Sequence, residues 1–275
     1  MPRFCANVSL LYPELDFLDR FAAAAADGFR AVECQFPYEF PALEIKKRLD
    51  SEGLELVLLN APPGGCNHRE AAQAWGRGDR GTACHAERKA EFDFGIQLAL
   101  EYAEVLQCTR VHVLSGCHRE GDDLNVLHAT LVGNLKHAAK IGREIQWLIE
   151  PLNTRDVPAY FLTHQDQAHR IVGETAASNI KVQMDLYHCQ IMEGDVATKL
   201  RQYLPTGQVG HLQIAGVPER HEPDTGELNY RYLLELVDDL QFRGWVGCEY
   251  RPRLGDVAGG TSAGLSWISA LRTLV

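Results

Sequence analysis

The chain has 275 residues, of which 45% are hydrophobic and 23% are charged. This length supports one sizeable core and fits a single α/β barrel better than two ordinary domains. The formal net charge is −10, and lysine and arginine are scattered rather than gathered into the basic face that a nucleic-acid binder needs. We therefore expect a small-molecule partner and no nucleic acid.

Eight cysteines are present, and none forms a C-x-x-C pair. Several lie in apolar runs such as AVECQF and WVGCEY, a pattern typical of reduced, buried thiols in a cytoplasmic enzyme. A strand pattern follows Met1, Pro2 and Arg3 at once, so we expect no signal peptide. No apolar run approaches the ~20 residues of a membrane span, and formation of a homo-oligomer is left open.

Eight short apolar runs, rich in β-branched residues, are spread along the whole chain. In chain order they are RFCANVSLL, RAVECQF, LELVLLNA, RVHVLSG, IQWLIEPL, IKVQMDLY, VGHLQIAG and WVGCEYRP. Their nearly continuous hydrophobicity is typical of parallel strands that are covered on both faces.

A helical pattern follows each of these runs. The predicted helices are 14–27, 40–52, 85–106, 123–142, 163–176, 194–204, 229–243 and 261–274. Eight strand–helix units over residues 1–275 predict one (β/α)₈ barrel, the TIM-barrel fold. An open doubly wound sheet is the alternative, and it is disfavoured because no Gly-rich phosphate turn follows the first strand.

The connection at residues 61–85 is unusually long and contains many glycines but few core-forming residues. Loops of this length inside a compact domain are commonly either functional or disordered. On a barrel this loop rises from the face that carries the active site. We predict an active-site lid, with a floppy insertion as the alternative.

Each of the last four strands ends in a polar residue that offers an oxygen ligand. Glu150, Asp185, Gln213 and Glu249 lie about one strand–helix unit apart, so they should reach equivalent heights at the barrel mouth. Three converging carboxylates repel one another unless a cation lies between them. The oxygen-rich set predicts one divalent metal, Mg²⁺ or Mn²⁺, whereas the alternative is four unrelated polar residues facing water.

Other polar residues near these strand ends are candidate substrate contacts. His188, three residues after the sixth strand, is suited to polarise or protonate a substrate oxygen. Arg220 and His221 are candidate donors to an anionic substrate, unless Arg220 pairs with Glu219 or Glu222 on the surface.

Two further histidines have no single interpretation. Strand alternation points His211 and Gln213 to the same side, so His211 is either a supporting group or a core histidine. His112 lies inside the fourth strand, where a core role and a catalytic role are equally compatible with the pattern.

Six segments resemble the hydroxypyruvate isomerase family, within the wider group of xylose-isomerase-like barrels. They are RFCANVSLLYPELDFLDRF, GFRAVECQFPYEF, IEPLNTRDVPAYFL, MDLYHCQIMEGD, HLQIAGVPERHEPDTGELNY and GWVGCEYRP. The resemblance implies that Glu150, Asp185, Gln213 and Glu249 hold the metal. It also implies that the two glutamates donate and accept the proton.

The chain departs from the family pattern at two places. Arg251 stands where the family usually has a lysine, and the sequence HAER at 85–88 replaces a proline and glycine that usually precede an arginine. QIAGVPERHEPD is similar to the sister group of 2-oxo-tetronate isomerases, whereas IEPLN and MDLYHCQIMEG are similar to hydroxypyruvate isomerase. We expect interconversion of hydroxypyruvate and tartronate semialdehyde through an enediolate, with 2-oxo-tetronate isomerase as the alternative.

Two other classes of protein can use this fold. A metal-dependent endonuclease for abasic DNA needs a phosphate-binding groove and a richer histidine and carboxylate cluster for several zinc ions. A non-catalytic barrel that binds sugar acids is the third interpretation.

Overall fold

The computed structural model describes residues 2–272 and shows a closed barrel of eight parallel strands. The strands are β1 (Arg3–Asn7), β2 (Ala31–Cys34), β3 (Glu55–Asn60), β4 (Arg110–His112), β5 (Gln146–Ile149), β6 (Ile180–Asp185), β7 (Val209–Ile214) and β8 (Trp245–Cys248). Pairing of β1 with β8 closes the ring. The predicted (β/α)₈ fold is confirmed, and the open-sheet alternative is wrong.

Helices surround this barrel. They are α1 (Arg20–Ala26), α2 (Ala42–Glu52), α3 (His68–Gln73), α4 (Lys89–Leu106), α5 (Leu124–Ile141), α6 (Gln165–Thr175), α7 (Leu186–Met192), α8 (Val196–Tyr203), α9 (Tyr230–Asp239), α10 (Gly260–Gly264) and α11 (Ser266–Arg272). Short 3₁₀ turns lie at Phe17–Asp19, Ala86–Arg88 and Leu204–Thr206. Within residues 2–272 no helix has the length and apolar character needed to cross a membrane.

The helix predictions differ from the structure mainly at the ends of elements. The predicted helix 14–27 begins only at Arg20, after a 3₁₀ turn. Helix α7 was not predicted, and it begins directly after β6 because the Asp185 carboxylate accepts the backbone N–H of Tyr187 and caps it. The predicted helix 261–274 is two helices broken at Leu265, and its residues 273 and 274 lie outside the described residues.

Strand alternation divides the strand side chains between two regions. Ala6, Val32 and Val246 belong to the large core between the barrel and its helices, whereas their neighbours Cys5 and Trp245 form a separate cluster. Residues two and four positions after Cys5 and Trp245 on the same strands point to the same side as these two residues, which is the barrel interior. The barrel interior therefore turns from apolar to polar toward the carboxyl ends of the strands.

The 61–85 loop is folded against the barrel. Arg88 forms ion pairs with Asp79 at 2.7 Å and with Glu91 on α4 at 2.6 Å. Gly81 makes a β-bridge with Ser115, and the Cys84 N–H donates to the Ser115 carbonyl at 2.8 Å. These contacts join the loop to the barrel and to α4, and its role as an active-site lid stays a prediction.

Candidate active site

Four buried side chains converge at the mouth of the barrel. Glu150, Asp185, His188 and Glu249 each offer one ligand atom, and these atoms all lie within 4.8 Å of one another. Glu150 directly follows β5, Asp185 ends β6 and Glu249 directly follows β8. The carboxyl ends of parallel strands meet at this face, which explains why residues distant in sequence are brought together.

Gln213 lies on β7, in register with Asp185 on β6. Its Nε2 donates to Glu33 Oε1 at 2.7 Å, and its Oε1 accepts a hydrogen bond from Gln183 Nε2 at 2.6 Å. A carbonyl oxygen has two lone pairs, so Oε1 keeps one for a cation. The amide is therefore oriented by its neighbours rather than free to rotate.

Two carboxylate oxygens in the cluster are buried without a hydrogen-bond partner among residues 2–272, namely Glu150 Oε1 and Asp185 Oδ2. Burial raises the pKa of Asp185 to about 7, despite the opposing charge of Arg220. Burial, followed by the charges of Glu249 and Asp185, raises the pKa of Glu150. Orphaned anionic oxygens in a buried cluster are what a hard divalent cation neutralises, so the chemistry of the donor set fits such an ion.

Arg220 turns inward to the acids rather than pairing with Glu219 or Glu222. Its Nη2 donates to Glu249 Oε2 at 2.5 Å and lies 3.9 Å from Asp185 Oδ2. The charge of this guanidinium acts against the effect of burial on the pKa of Glu249, which nevertheless stays raised. Arg220 therefore contributes positive charge within the acidic cluster.

His188 is held as a neutral ring beside Asp185. The backbone N–H of Asn153 donates to His188 Nδ1 at 3.1 Å, which leaves the ring proton on Nε2. Burial, followed by the charge of Arg220, lowers the pKa of His188 well below its usual value. Nε2 lies 3.7 Å from Asp185 Oδ2, so its proton is available at the centre of the cluster.

The structure does not bring His221 to the cluster. Its Nδ1 lies 2.8 Å from the carbonyl oxygen of Arg251, and it does not border the cavity that the cluster faces. Its neighbour Arg220 has a φ of 61°, so the two side chains diverge. Substrate contact by His221 stays a prediction that this geometry does not support.

The remaining histidines differ in their roles. His112 borders the cavity, with Nδ1 3.5 Å from Glu150 Oε2, and burial lowers its pKa to about 3. His211 Nε2 lies 2.6 Å from Glu33 Oε2, which makes it a supporting group behind Gln213.

Glu33 and Asn7 are site residues that the sequence patterns did not single out. Asn7 Nδ2 lies 2.9 Å from Glu33 Oε1 and 3.1 Å from Glu249 Oε1, so it bridges the two acids. Gln35 Nε2 also donates to Glu249 Oε1, at 3.1 Å. The one sequence signal was an acid inside the apolar run AVECQF, where a charge is buried only with partners.

The cluster faces a cavity of about 270 Å³. Its walls include Glu150, Glu249 and Arg220, together with Trp75 and Arg80 of the 61–85 loop. A cleft of about 520 Å³ lies elsewhere, but it is bordered by no carboxylate. The small volume of the acidic cavity indicates a ligand of a few carbon atoms.

Comparison with known proteins identifies the family of this chain. Residues 21–271 match the family model described as xylose isomerase-like TIM barrel. The chain belongs to this family. It is 53% identical over 270 residues to the 2-oxo-tetronate isomerase of Cupriavidus necator, covering 98% of each chain. It is 41% identical over 274 residues to the hydroxypyruvate isomerase of Escherichia coli K12, covering 99% of this chain and 100% of the relative.

A solved structure supports the same fold assignment. The crystal structure of the AP endonuclease, family 2, from Brucella melitensis is 43% identical, with a TM-score of 0.90 over 98% of this chain and 99% of that one. The predicted family and the predicted isomerase class are confirmed by the relatives.

Proposed function

We propose that this isomerase interconverts hydroxypyruvate and tartronate semialdehyde. The observation that carries the proposal is the convergence of two buried carboxyl groups, Glu150 and Glu249, on one small cavity, where their ligand atoms lie within 4.8 Å of each other. The reaction removes a proton from C3 and returns one to C2, and the hydroxyl proton passes from O3 to O2, so the carbonyl moves from C2 to C3 through an enediolate. Two carboxyl groups beside one bound substrate would take up the proton from one carbon and deliver a proton to the other.

Glu150, Asp185, Gln213 and Glu249 would hold one Mg²⁺ or Mn²⁺. When bound, such an ion supplies Lewis-acid stabilisation of negative charge on the substrate oxygens. Gln213 is neutral, so the ligand set carries one negative charge less than four acids would carry. This favours the approach of an anionic substrate.

The chain's own groups divide the proton chemistry. One carboxylate oxygen of Glu150 would hold the ion, and the other would accept a proton from carbon. Glu249 would be the second proton-transfer group. Its carboxylate is held in position by hydrogen bonds from Gln35, Asn7 and Arg220. The His188 Nε2 proton is placed to stabilise a charged substrate oxygen.

Substitution of either glutamate tests this assignment. Glu150→Gln and Glu249→Gln should each lower kcat by roughly 10²- to 10⁴-fold. Mn²⁺ binding, measured by titration, shows whether the variant still holds the ion. Wild-type turnover in either variant with metal bound would contradict the acid–base roles, and Glu55→Gln, at the exposed start of β3, is the matched control.

Metal dependence is tested separately. Chelation should abolish turnover, and addition of Mg²⁺ or Mn²⁺ should restore it. An unchanged rate after complete chelation would show that the ion is not needed.

2-Oxo-tetronate isomerisation is a second candidate, and the 53% identity to the Cupriavidus necator enzyme supports it as well as the 41% identity to the Escherichia coli hydroxypyruvate isomerase supports the first. It is the same carbonyl transfer on an acid with one more carbon. A coupled assay should offer hydroxypyruvate, 2-oxo-tetronates and simple ketoses side by side. The acid with the higher kcat/KM is the substrate, and turnover of neutral ketoses alone would exclude both candidates.

The likeness to the Brucella melitensis AP endonuclease motivates one further assay. Abasic duplex DNA should remain uncleaved, because the formal charge of −10 disfavours a phosphate backbone. Cleavage that is lost in Glu150→Gln would instead support an endonuclease that uses the same cluster.

A further inference from the structure

Arg80 is a cation on the cavity wall that the proposed chemistry does not use. Its guanidinium carbon lies 3.8 Å from the centre of the Trp75 ring, and Trp75 stacks in turn on Phe36, with 5.2 Å between ring centroids. Both aromatic rings also border the cavity. The guanidinium therefore rests on a rigid aromatic platform beside the acidic cluster.

Hydrogen bonds fix one edge of this guanidinium. Arg80 Nη1 donates to the carbonyl oxygens of Trp75 at 3.1 Å and Asp79 at 2.8 Å. The flanking residues are anchored as well, because Asp79 pairs with Arg88 and Gly81 bridges to Ser115. Little side-chain entropy remains to be lost when a ligand binds.

The other edge, formed by Nε and Nη2, makes no hydrogen bond, and Arg80 forms no ion pair with any carboxylate among residues 2–272. This edge presents two parallel N–H groups, the geometry that matches a carboxylate. The other two arginines of the cavity are less suitable. Arg220 is already engaged by Glu249. The hydrogen bonds that the described residues make with the exposed Arg251 hold only its backbone, through Arg220 and His221.

We propose that the Nε–Nη2 edge of Arg80 binds the C1 carboxylate of the substrate, and so selects short 2-oxo acids over neutral ketoses. This inference rests on the proposed function for the identity of the substrate. A substrate carboxylate entering beside Glu150, Asp185 and Glu249 meets like charge, and a fixed, unpaired cation on the wall offsets that repulsion. Arg80 thus acts on substrate selection rather than on proton transfer.

The experiment measures KM for hydroxypyruvate and, by calorimetry, the Kd of D-glycerate. D-Glycerate keeps the carboxylate and neighbouring hydroxyl but has no carbonyl to isomerise. Arg80→Gln should raise both constants roughly 10- to 100-fold, as expected when a pair of charge-assisted hydrogen bonds to a carboxylate is lost. The kcat for hydroxypyruvate should change little. Arg80→Lys keeps the positive charge but not the two parallel N–H donors, so it should raise KM and Kd less than Arg80→Gln does.

Arg77→Gln is the matched control, because Arg77 lies on the same loop, is exposed and does not border the cavity. A KM for Arg80→Gln within twofold of wild type would overturn the inference. An equal rise in Arg77→Gln, or a rise in Arg251→Gln in place of Arg80→Gln, would also overturn it. A wild-type enzyme that turns over no 2-oxo acid but loses D-glycerate binding in Arg80→Gln would refute the proposed function alone.

Discussion

Glu33 on β2 and Gln213 on β7 are joined inside the barrel by a hydrogen bond of 2.7 Å from Gln213 Nε2 to Glu33 Oε1. Burial alone would raise the pKa of Glu33. The charge of His211 and hydrogen bonds from His211, Gln213 and Asn7 outweigh burial and lower it. An ionised carboxylate only accepts hydrogen bonds, so it forces Gln213 to turn its nitrogen inward and its oxygen away. A remote acid therefore determines which atom Gln213 would offer to a metal.

Glu33→Gln should weaken Mn²⁺ binding by roughly 10- to 100-fold, the usual effect of losing a group that orients a metal ligand. The new amide can donate to Gln213 and so releases its orientation. Calorimetric titration of Mn²⁺ measures the effect directly, without reference to turnover. Glu55→Gln is the control, and equal Mn²⁺ affinity in Glu33→Gln and wild type would show that Gln213 is oriented by other contacts.

Gly247 provides the space that Glu33 occupies. It lies opposite Gln213 in the β7–β8 register, and a Cβ at this position would stand 2.4 Å from Glu33 Oε2. Gly247→Ala should lower the free energy of unfolding by about 1–3 kcal/mol, as overpacking in a dense interior does. Urea unfolding measures this change.

Gly133→Ala is the matched control for that substitution, because no atom lies within 4 Å of a Cβ at this exposed position on α5. Its higher helix propensity should stabilise the protein by up to about 1 kcal/mol. Equal effects of the two alanines would contradict the packing role of Gly247.

The acids at the strand ends were predictable from sequence, whereas the contact of Glu33 with Gln213 was not. Glu150, Asp185 and Glu249 each close an apolar run, and parallel strands in a barrel bring such ends together. Glu33 lies on β2 and reaches Gln213 on β7 only because the ring closes and side chains cross its interior. That contact depends on the tilt and stagger of all eight strands, which no local pattern encodes.

Local backbone geometry limited the remaining predictions. Arg220 and His221 are adjacent and were assigned one role, yet the positive φ at Arg220 sends them to different partners. Asp185 likewise caps α7, which begins at Leu186, whereas the apolar run IKVQMDLY predicted that the strand continues. Both features are set by single dihedral angles or hydrogen bonds rather than by hydrophobic periodicity.

The Arg88 ion pairs should control the order of the 61–85 loop. Arg88→Gln removes the contacts to Asp79 and Glu91, so backbone hydrogen exchange in residues 66–82 should become faster. The KM for hydroxypyruvate should rise with it, because Arg80 is carried by the same segment. Lys89→Gln is the control, because it removes a surface ion pair with Asp93 and a cation–π contact with Phe92, both on α4 rather than on the loop. Unchanged exchange in Arg88→Gln would show that the backbone contacts to Ser115 suffice.

His169 should make the fold sensitive to acid independently of the active site. Its ring stacks on Tyr203 at 3.8 Å, Nδ1 bonds to Gln208 Oε1 at 2.9 Å, and Nε2 is buried without a partner in the described chain. Burial lowers the pKa of His169 from its usual value of 6.5. The unfolded chain therefore binds this proton more readily than the folded one.

Stability is then unaffected by His169 above the unfolded pKa and falls as the pH drops below about 6.5. His169→Phe keeps the stacking on Tyr203 but cannot titrate, so it should lose less free energy of unfolding between pH 7.5 and 5.5 than wild type loses. Urea unfolding at the two pH values measures the difference. His112 and His188 remain in both proteins, so the comparison isolates His169. The exposed His164→Gln should match wild type, and parallel pH profiles for His169→Phe and wild type would refute the role.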